Sequence, residues 1–328
     1  MKHNDLTGKE WFEMGNQYYL EKNLDEAIRC FSEVIRLKPD SFASYYNRGL
    51  ALDEKGDLEG AIQDFTDAIC LKIDVFEIYY NRGSAYYEKG DVNNAIKDYT
   101  EVIRLKPNLA DAYNNRGNAR DDIGDIDGAI KDFAEAIRIQ PDFAEAYYNR
   151  GKVHKSKGNL EDAIKDFSEV IRLNPEDAEA YNDRGMVFKE VDDLECAIND
   201  YTEAVRLQPD FAEAYNNRGN ALYHNDDIDG AVKDYNESIR INPNIAEVYV
   251  NKGNAHTDNN DIDGAIKAYT EAVCINPDHA EAYWGRGVAF KKKGDYDFAI
   301  ADYQRYFEVG GTSEIVKQYL IDLKTKIA

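Results

Sequence analysis

The sequence predicts an all-α protein built from one short helical hairpin repeated in tandem. Apolar residues within each interval follow the three- and four-residue spacing of two amphipathic helices. An Asp or Asn, often preceded by glycine, separates the two helical stretches, as expected for a turn followed by a helix N-cap. Alanine recurs every 34 residues, at Ala27, Ala61, Ala95, Ala129, Ala163, Ala197, Ala231, Ala265 and Ala299.

We count a 34-residue frame from Gly8, so that the recurring alanine holds position 20. Nine repeats fit without an insertion, between a polar tail (residues 1–7) and a C-terminal segment (residues 314–328). The predicted repeats are 8–41, 42–75, 76–109, 110–143, 144–177, 178–211, 212–245, 246–279 and 280–313.

The fifth repeat carries the pattern most clearly. Positions 4, 8, 10, 11, 17, 20, 24, 27 and 32 are held by Tyr147, Gly151, Val153, His154, Leu160, Ala163, Phe167, Val170 and Pro175. This pattern resembles the tetratricopeptide repeat (TPR) family. The resemblance implies a right-handed α-solenoid, a superhelix with the first helix of each hairpin (helix A) on the concave side and the second (helix B) on the convex side.

The turns between helices A and B share a pattern at positions 15 and 16. Position 15 is glycine in five repeats, which suits a left-handed helix end, with Asp192, Asp226 and Asn260 as the next-best residues and Lys22 as the exception. Position 16 is always Asp or Asn, which we expect to cap helix B. These residues are Asn23, Asp57, Asp91, Asp125, Asn159, Asp193, Asp227, Asp261 and Asp295.

Position 7, usually apolar in the family, is basic here and varies together with position 23. The two exceptions coincide, because repeat one has Met14 with Cys30 and repeat eight has Lys252 with Ala268. We predict an ion pair between helices A and B, worth about 0–1 kcal/mol if exposed; duplication of an ancestral repeat without contact is the alternative. The predicted pairs are Arg48–Asp64, Arg82–Asp98, Arg116–Asp132, Arg150–Asp166, Arg184–Asp200, Arg218–Asp234 and Arg286–Asp302.

Residues 314–328 are predicted to form an amphipathic helix that caps the ninth repeat, since a terminal repeat would otherwise expose apolar surface. Ile315, Tyr319, Leu323 and Ile327 fall every four positions and define the predicted buried stripe. A detachable helix for a membrane or a partner is the alternative.

Composition excludes several classes of function. The net charge of −23 repels nucleic-acid phosphates and anionic lipid, so we expect neither nucleic acid nor membrane as a partner. The four cysteines have no metal-ligand spacing, and no segment is apolar enough for a signal peptide or a membrane span, so we expect a cytoplasmic protein. No catalytic, cofactor or metal motif is present, which predicts a non-enzyme without a cofactor or metal.

The candidate binding residues are polar and aromatic side chains that the TPR resemblance places on the concave side of helix A. Asparagine at position 6 resembles the asparagine ladder of the O-linked N-acetylglucosamine transferase repeat arm and of importin-type solenoids, where the amide can bind the backbone of an extended peptide. Duplication would also spread asparagine without selection for binding. The candidates are Asn47, Asn81, Asn115, Asn149, Asn217 and Asn251 at position 6, Asn16, Asn118, Asn220 and Asn254 at position 9, and Tyr46, Tyr80, Tyr148 and Trp284 at position 5.

Nearby charges predict the kind of partner. Glu77, Asp111, Asp122 and Glu145 favour a basic peptide. The family's carboxylate clamp for chaperone tails requires lysines that are absent here, and Glu77 stands where one of them is needed. We therefore expect no binding of a chaperone C-terminal tail.

The sequence thus predicts a non-catalytic adaptor that binds an extended, basic or polar segment of another protein in the concave groove. Two alternatives stay open. One is a scaffold for assembly or self-association that uses the convex face or the array ends, and the other is a targeting subunit of a separate enzyme. The partner's identity, the pathway and the oligomeric state are not predicted.

Overall fold

The computed structural model describes residues 6–327, with the side chain of Ile327 outside the description. Every regular element in this range is an α-helix, which confirms the all-α prediction. The A helices are α1 (Gly8–Leu20), α3 (Phe42–Glu54), α5 (Phe76–Glu88), α7 (Ala110–Asp122), α9 (Ala144–Ser156), α11 (Ala178–Glu190), α13 (Ala212–His224), α15 (Ala246–Asp258) and α17 (Ala280–Lys293). The B helices are α2 (Leu24–Leu37), α4 (Leu58–Leu71), α6 (Val92–Leu105), α8 (Ile126–Ile139), α10 (Leu160–Leu173), α12 (Leu194–Leu207), α14 (Ile228–Ile241), α16 (Ile262–Ile275) and α18 (Tyr296–Glu308), and α19 (Glu314–Ile327) follows.

The helices group into two compact units, residues 1–162 and 163–328. Within the first unit each B helix packs on the A helix of its own hairpin and on the A helix of the next one, as α6 packs on α5 and α7. The second unit follows the same rule, and α19 packs on α18. Each unit is therefore a stack of helical hairpins.

Small residues let the two helices of a hairpin approach closely. The alanine at position 20 is fully buried in all nine repeats. A Cβ atom on Gly117, at position 8, would lie 2.7 Å from Cε1 of Phe133, and one on Gly185 would lie 2.8 Å from Cε1 of Tyr201. The ring at position 24 thus occupies the space that a side chain at position 8 would need, which explains why glycine recurs there.

All nine turns between helices A and B contain a residue in the left-handed conformation, as predicted. Gly56 has a φ of 86°, whereas the non-glycine Lys22 and Asp192 adopt 61° and 63° in the same place. This conformation costs a non-glycine residue about 1–2 kcal/mol. The turns at Lys22, Asp192, Asp226 and Asn260 are therefore weaker than the glycine turns.

The predicted caps form at most of the turns. The aspartate at position 16 accepts a hydrogen bond from the backbone N–H three residues later at Asp57, Asp91, Asp125, Asp193, Asp227 and Asp261, but Asn23 and Asp295 make no such bond. Residues 1–5 of the predicted tail lie outside the described residues. Thr7 belongs to the fold, because it forms a capping box with Glu10 at the start of α1.

The predicted Arg–Asp pairs form between helices A and B. In the first unit, Nε and Nη2 of Arg82 donate to Oδ2 and Oδ1 of Asp98, both at 2.7 Å. The same two-bond geometry recurs in Arg48–Asp64, Arg116–Asp132, Arg184–Asp200, Arg218–Asp234 and Arg286–Asp302. Arg150–Asp166, whose residues belong to different units, stays a prediction.

The aspartates of these pairs are buried and the arginines are half-buried, so the small contribution expected for an exposed pair does not apply. Asp98 is 4% exposed, and a buried carboxylate that loses its cation costs far more than an exposed one. The arginine of each of these six pairs also bonds to a hydroxyl of the preceding repeat, as Nη1 of Arg82 donates to Oγ1 of Thr66 at 3.0 Å. The network therefore joins successive repeats as well as the two helices of one hairpin.

The C-terminal helix packs on the ninth repeat with a different stripe from the predicted one. Val316 and Leu323 are buried, and Tyr319 and Leu320 pack beside them against the core around Tyr303 and Tyr306. Ile315 is 58% exposed, so its predicted burial is wrong. The observed spacing follows the 3.6-residue helical repeat, whereas a strict four-residue stripe drifts around the helix.

Candidate peptide-binding surface

Six asparagines at position 6 each form a hydrogen bond to the preceding repeat. Each Nδ2 group donates to the side chain at position 5 or position 9 of the preceding repeat. The bonds run from Asn47 to Asn16 (2.8 Å), Asn81 to Tyr46 (2.9 Å), Asn115 to Tyr80 (3.0 Å), Asn149 to Asn114 (3.1 Å), Asn217 to Asn182 (3.0 Å) and Asn251 to Asn216 (3.1 Å).

These bonds give the ladder a structural role that the sequence prediction did not include. A primary amide carries two N–H groups and one acceptor oxygen, and each inter-repeat bond uses one N–H. The six asparagines are half-buried, so part of each amide still faces solvent. Peptide binding by these residues stays a prediction, and it involves less than the full hydrogen-bonding capacity of each amide.

Asparagine at position 5 is the feature that the sequence reasoning missed. Asn114 and Asn182 are 1% and 3% exposed, and each accepts the bond from the asparagine of the next repeat. Asn114 also donates to Oε1 of Glu145 at 2.9 Å. The signal was present in the sequence, because position 5 is asparagine instead of an aromatic residue in repeats four, six and seven, at Asn114, Asn182 and Asn216.

Two of the four asparagines at position 9 bond within their own repeat. Oδ1 of Asn220 accepts a hydrogen bond from Tyr235 at 2.8 Å, and Oδ1 of Asn254 accepts one from Tyr269 at 2.6 Å. Asn118 is half-buried, and Asn254 is exposed. Asn220 and Asn254 thus orient buried tyrosines, and their N–H groups remain for a ligand. Oδ1 of Asn16 instead accepts the bond from Asn47 of the next repeat.

A cavity of about 390 Å³ in the first unit brings three predicted residues together. Tyr46, Tyr80 and Asn81 line it with Glu77 and Asp111. Burial raises the pKa of Tyr46, and the nearby charge of Glu77 raises it further. Burial and Asp111 do the same for Tyr80. Both hydroxyls therefore stay protonated at neutral pH and can donate hydrogen bonds.

A smaller cavity of about 170 Å³ in the second unit contains Trp284 and Asn254. Trp284 is 38% exposed. Position 6 is Gly285 here, because a Cβ atom would lie 2.5 Å from the ring of Tyr269. Tyr223 donates to Asp258, and burial together with this bond raises the pKa of Tyr223 to about 12.

Tyr148, the remaining aromatic candidate, has a cation of its own helix on its ring. The ammonium of Lys152 lies 5.6 Å from the ring centroid. This distance is within the range of a cation–π interaction. Tyr148 is therefore less open to a ligand than Tyr46 or Tyr80.

Exposed carboxylates recur at position 2 of helix A in both units. Position 2 is acidic and exposed in seven repeats, at Glu77, Asp111 and Glu145 in the first unit and at Glu179, Glu213, Glu247 and Glu281 in the second. Asp122, the other predicted carboxylate, is exposed and accepts a bond from Tyr87 at 2.6 Å. In the described part of the chain, no three His, Cys, Asp or Glu residues are grouped to hold a metal ion, and no helix is long and apolar enough to cross a membrane.

Models of the tetratricopeptide repeat family match most of the chain. One TPR repeat model matches residues 15–56, 52–90, 83–120, 122–158, 192–226 and 253–294. Two further tetratricopeptide repeat models match 144–177 and 212–245, and 280–309. The chain belongs to the TPR family, which confirms the resemblance inferred from the sequence.

Solved TPR structures share the fold. The C-terminal part of a TPR protein from Cytophaga hutchinsonii is 19% identical, with a TM-score of 0.64 over 73% of this chain and 98% of that chain. A TPR protein from Parabacteroides merdae is 20% identical, with a TM-score of 0.56 over 76% and 98%. The APC/C hetero-tetramer Cut9–Hcn1 gives 14% identity and a TM-score of 0.54 over 96% and 76%. A search of curated protein sequences gave no match.

The family and the fold together define a class of function. TPR repeats are typically modules for protein–protein interaction, so membership of the family supports a role as an interaction adaptor or scaffold. At identities of 20% or less, the structural likeness extends to the fold alone.

Proposed function

We propose that this protein is a non-catalytic adaptor that binds an extended, basic segment of another protein along the A-helix surface that carries the asparagine ladder. The observation that carries the proposal is the cavity in the first unit, where Glu77 and Asp111 at position 2 lie beside two tyrosines at position 5 and the amide of Asn81 at position 6. A basic segment would neutralise the carboxylates while its backbone meets the amides.

Energetics assigns different tasks to these groups. A hydrogen bond contributes about 0.5–1.5 kcal/mol, whereas ordering one residue of an extended peptide costs about 1–2 kcal/mol. Each amide already donates one N–H to the neighbouring repeat. These amides would thus set the register of the peptide without supplying net affinity. Aromatic contacts and charge attraction from the carboxylates at position 2 must supply most of the binding free energy.

The charge of the whole chain favours the same class of partner. A net charge of −23 attracts a basic segment over the Debye length and speeds its association at low ionic strength. The same charge repels phosphate groups and anionic lipid. The proposed partner is therefore a protein with an exposed, extended and basic stretch, and the proposed compartment is the cytoplasm.

The test is a quantitative affinity purification from native extract with three substitutions in the ladder, Asn81→Ala, Asn115→Ala and Asn149→Ala. A matched control replaces Asn93 and Asn108, an exposed helix-B residue and an exposed loop residue. Circular dichroism checks folding, because each lost inter-repeat bond costs about 0.5–1.5 kcal/mol.

The proposal predicts that the folded ladder variant loses specific partners that the control retains. A partner set that is unchanged in the ladder variant would contradict it. Loss of partners only after substitution of the helix-B face would instead support the assembly-scaffold role.

A further inference from the structure

We propose that the cavity in the first unit lined by Tyr46, Glu77, Tyr80 and Asp111 binds the side chain of an arginine in the partner segment. We call this cavity the arginine pocket. The inference rests on the proposed function and adds a side-chain specificity to it.

The chain itself shows how it holds an arginine. The guanidinium of Arg82 lies 5.7 Å from the ring centroid of Tyr79, on its own helix, while Asp98 accepts two hydrogen bonds from it. Arg48 repeats the arrangement with Tyr45 at 5.8 Å and with Asp64. A tyrosine face and a carboxylate are thus the two elements of the arginine sites already present in this fold.

The arginine pocket offers both elements without an arginine of the chain between them. Its lining contains two tyrosine rings and two carboxylates, and Glu77 and Asp111 are exposed at its edge. A planar guanidinium can stack on a ring and bind a carboxylate with two parallel hydrogen bonds, which an ammonium cannot do. The geometry therefore favours arginine over lysine.

The tyrosine hydroxyls add contacts to the peptide backbone. The oxygen of Tyr46 accepts a bond from Asn81, and that of Tyr80 accepts one from Asn115. Each hydroxyl still has its own hydrogen to donate. Backbone carbonyl groups on either side of the bound arginine are suitable acceptors, so the ladder asparagines act here as positioning residues for the tyrosines.

The neighbouring cations distinguish this pocket from the equivalent place in repeat five. There Lys152 already covers the ring of Tyr148, whereas the residues at the same position after Tyr46 and Tyr80 are the uncharged Leu50 and Ser84. Lys106, which also lines the pocket, lies 4.2 Å from the ring centroid of Phe76. The pocket thus retains an excess of one negative charge, which an arginine would neutralise.

The test selects binders from a random nonapeptide library displayed on phage, with the full chain as bait. The pocket variant carries Glu77→Gln and Asp111→Asn, and the matched control carries the same two kinds of change at exposed helix-B residues of the second unit, Glu195→Gln and Asp229→Asn. The best peptide is then synthesised with arginine, lysine or the neutral isostere citrulline at the enriched position, and its affinity is measured by fluorescence anisotropy.

We expect arginine at one fixed position of the selected peptides, and an affinity at least about tenfold weaker with citrulline or with the pocket variant but unchanged in the control. Equal affinity of the three peptides, or equal loss in the control, would overturn the pocket. If binding then still depends on Asn81 and Asn115, only the arginine pocket is refuted and the proposed function is still supported. A library that yields no binder would overturn both the arginine pocket and the proposed function.

Discussion

Replacing Arg82 by methionine should destabilise the third repeat, and replacing its partner Asp98 as well should restore the stability of that repeat. The chain supplies the model for the double change, because repeat one has Met14 and Cys30 at the two positions. We therefore compare Arg82→Met, Asp98→Cys and the double variant. The double variant has no buried charge to satisfy, whereas Arg82→Met leaves a carboxylate that is 4% exposed.

The structure gives the expected size of the effect. Two hydrogen bonds of 2.7 Å join Arg82 to Asp98, and loss of one partner of such a buried pair costs about 3–5 kcal/mol. Thr66 keeps a partner, since its hydroxyl still donates to the carbonyl of Ile62. Replacement of both charges by apolar groups is often neutral, so we expect the double variant to recover most of the loss.

Hydrogen exchange measured by mass spectrometry is the appropriate assay, because a repeat array opens locally and has no single free energy of unfolding. Arg82→Met should speed exchange in α5 and α6 by more than a hundredfold relative to the double variant, about 3 kcal/mol. Equal exchange in the two variants would refute the buried-pair argument.

The pH dependence of the same variant gives an independent check. Burial raises the pKa of Asp98, and Arg82 opposes that rise. Without Arg82 the pKa rises further, so the folded state favours the protonated carboxyl more than the unfolded state does. The destabilisation caused by Arg82→Met should therefore be greatest at a pH above the folded-state pKa of Asp98, and it should shrink as the pH falls through that pKa.

Three further changes test the packing, the turns and a half-buried histidine. Gly117→Ala would place a methyl group 2.7 Å from the ring of Phe133, so we expect a loss of about 1–3 kcal/mol, seen as faster exchange in α7 and α8. Asp192→Gly should stabilise the turn of the sixth repeat by about 1 kcal/mol, seen as slower exchange in α11 and α12, because φ is 63° there. Burial lowers the pKa of His256 despite its contact with Asp261, so the unfolded chain binds a proton before the folded chain does as the pH falls. The protection factor of α15, which corrects for the intrinsic pH dependence of exchange, should therefore decrease as the pH falls through about 6.5, the ordinary pKa of histidine. His256→Asn should remove this dependence.

Much of the fold is predictable because each local signal repeats nine times. Ala163 and its equivalents define the register, and a left-handed turn can be recognised from glycine at Gly56 or Gly124. The coupled exceptions at Met14 with Cys30 and at Lys252 with Ala268 predict the Arg–Asp pairs, since loss of one residue removes the reason for the other.

Contacts between repeats are harder to predict. Whether the amide of Asn81 faces a ligand or bonds to Tyr46 depends on the distance between stacked A helices, which no pattern within one repeat determines. Burial of Asp98 likewise results from the packing of hairpins. The capping helix was predicted with a four-residue stripe that includes Ile315, but the helical period of 3.6 residues selects Val316 instead.

Site-specific photo-cross-linking in native extract tests the proposed binding surface most directly. A benzophenone amino acid at Lys152, exposed beside Tyr148 on helix A, is compared with one at Lys131, exposed on helix B. The proposed adaptor function predicts partner adducts from position 152 and none from position 131. Adducts from position 131 alone would contradict the proposed function and assign binding to the helix-B face.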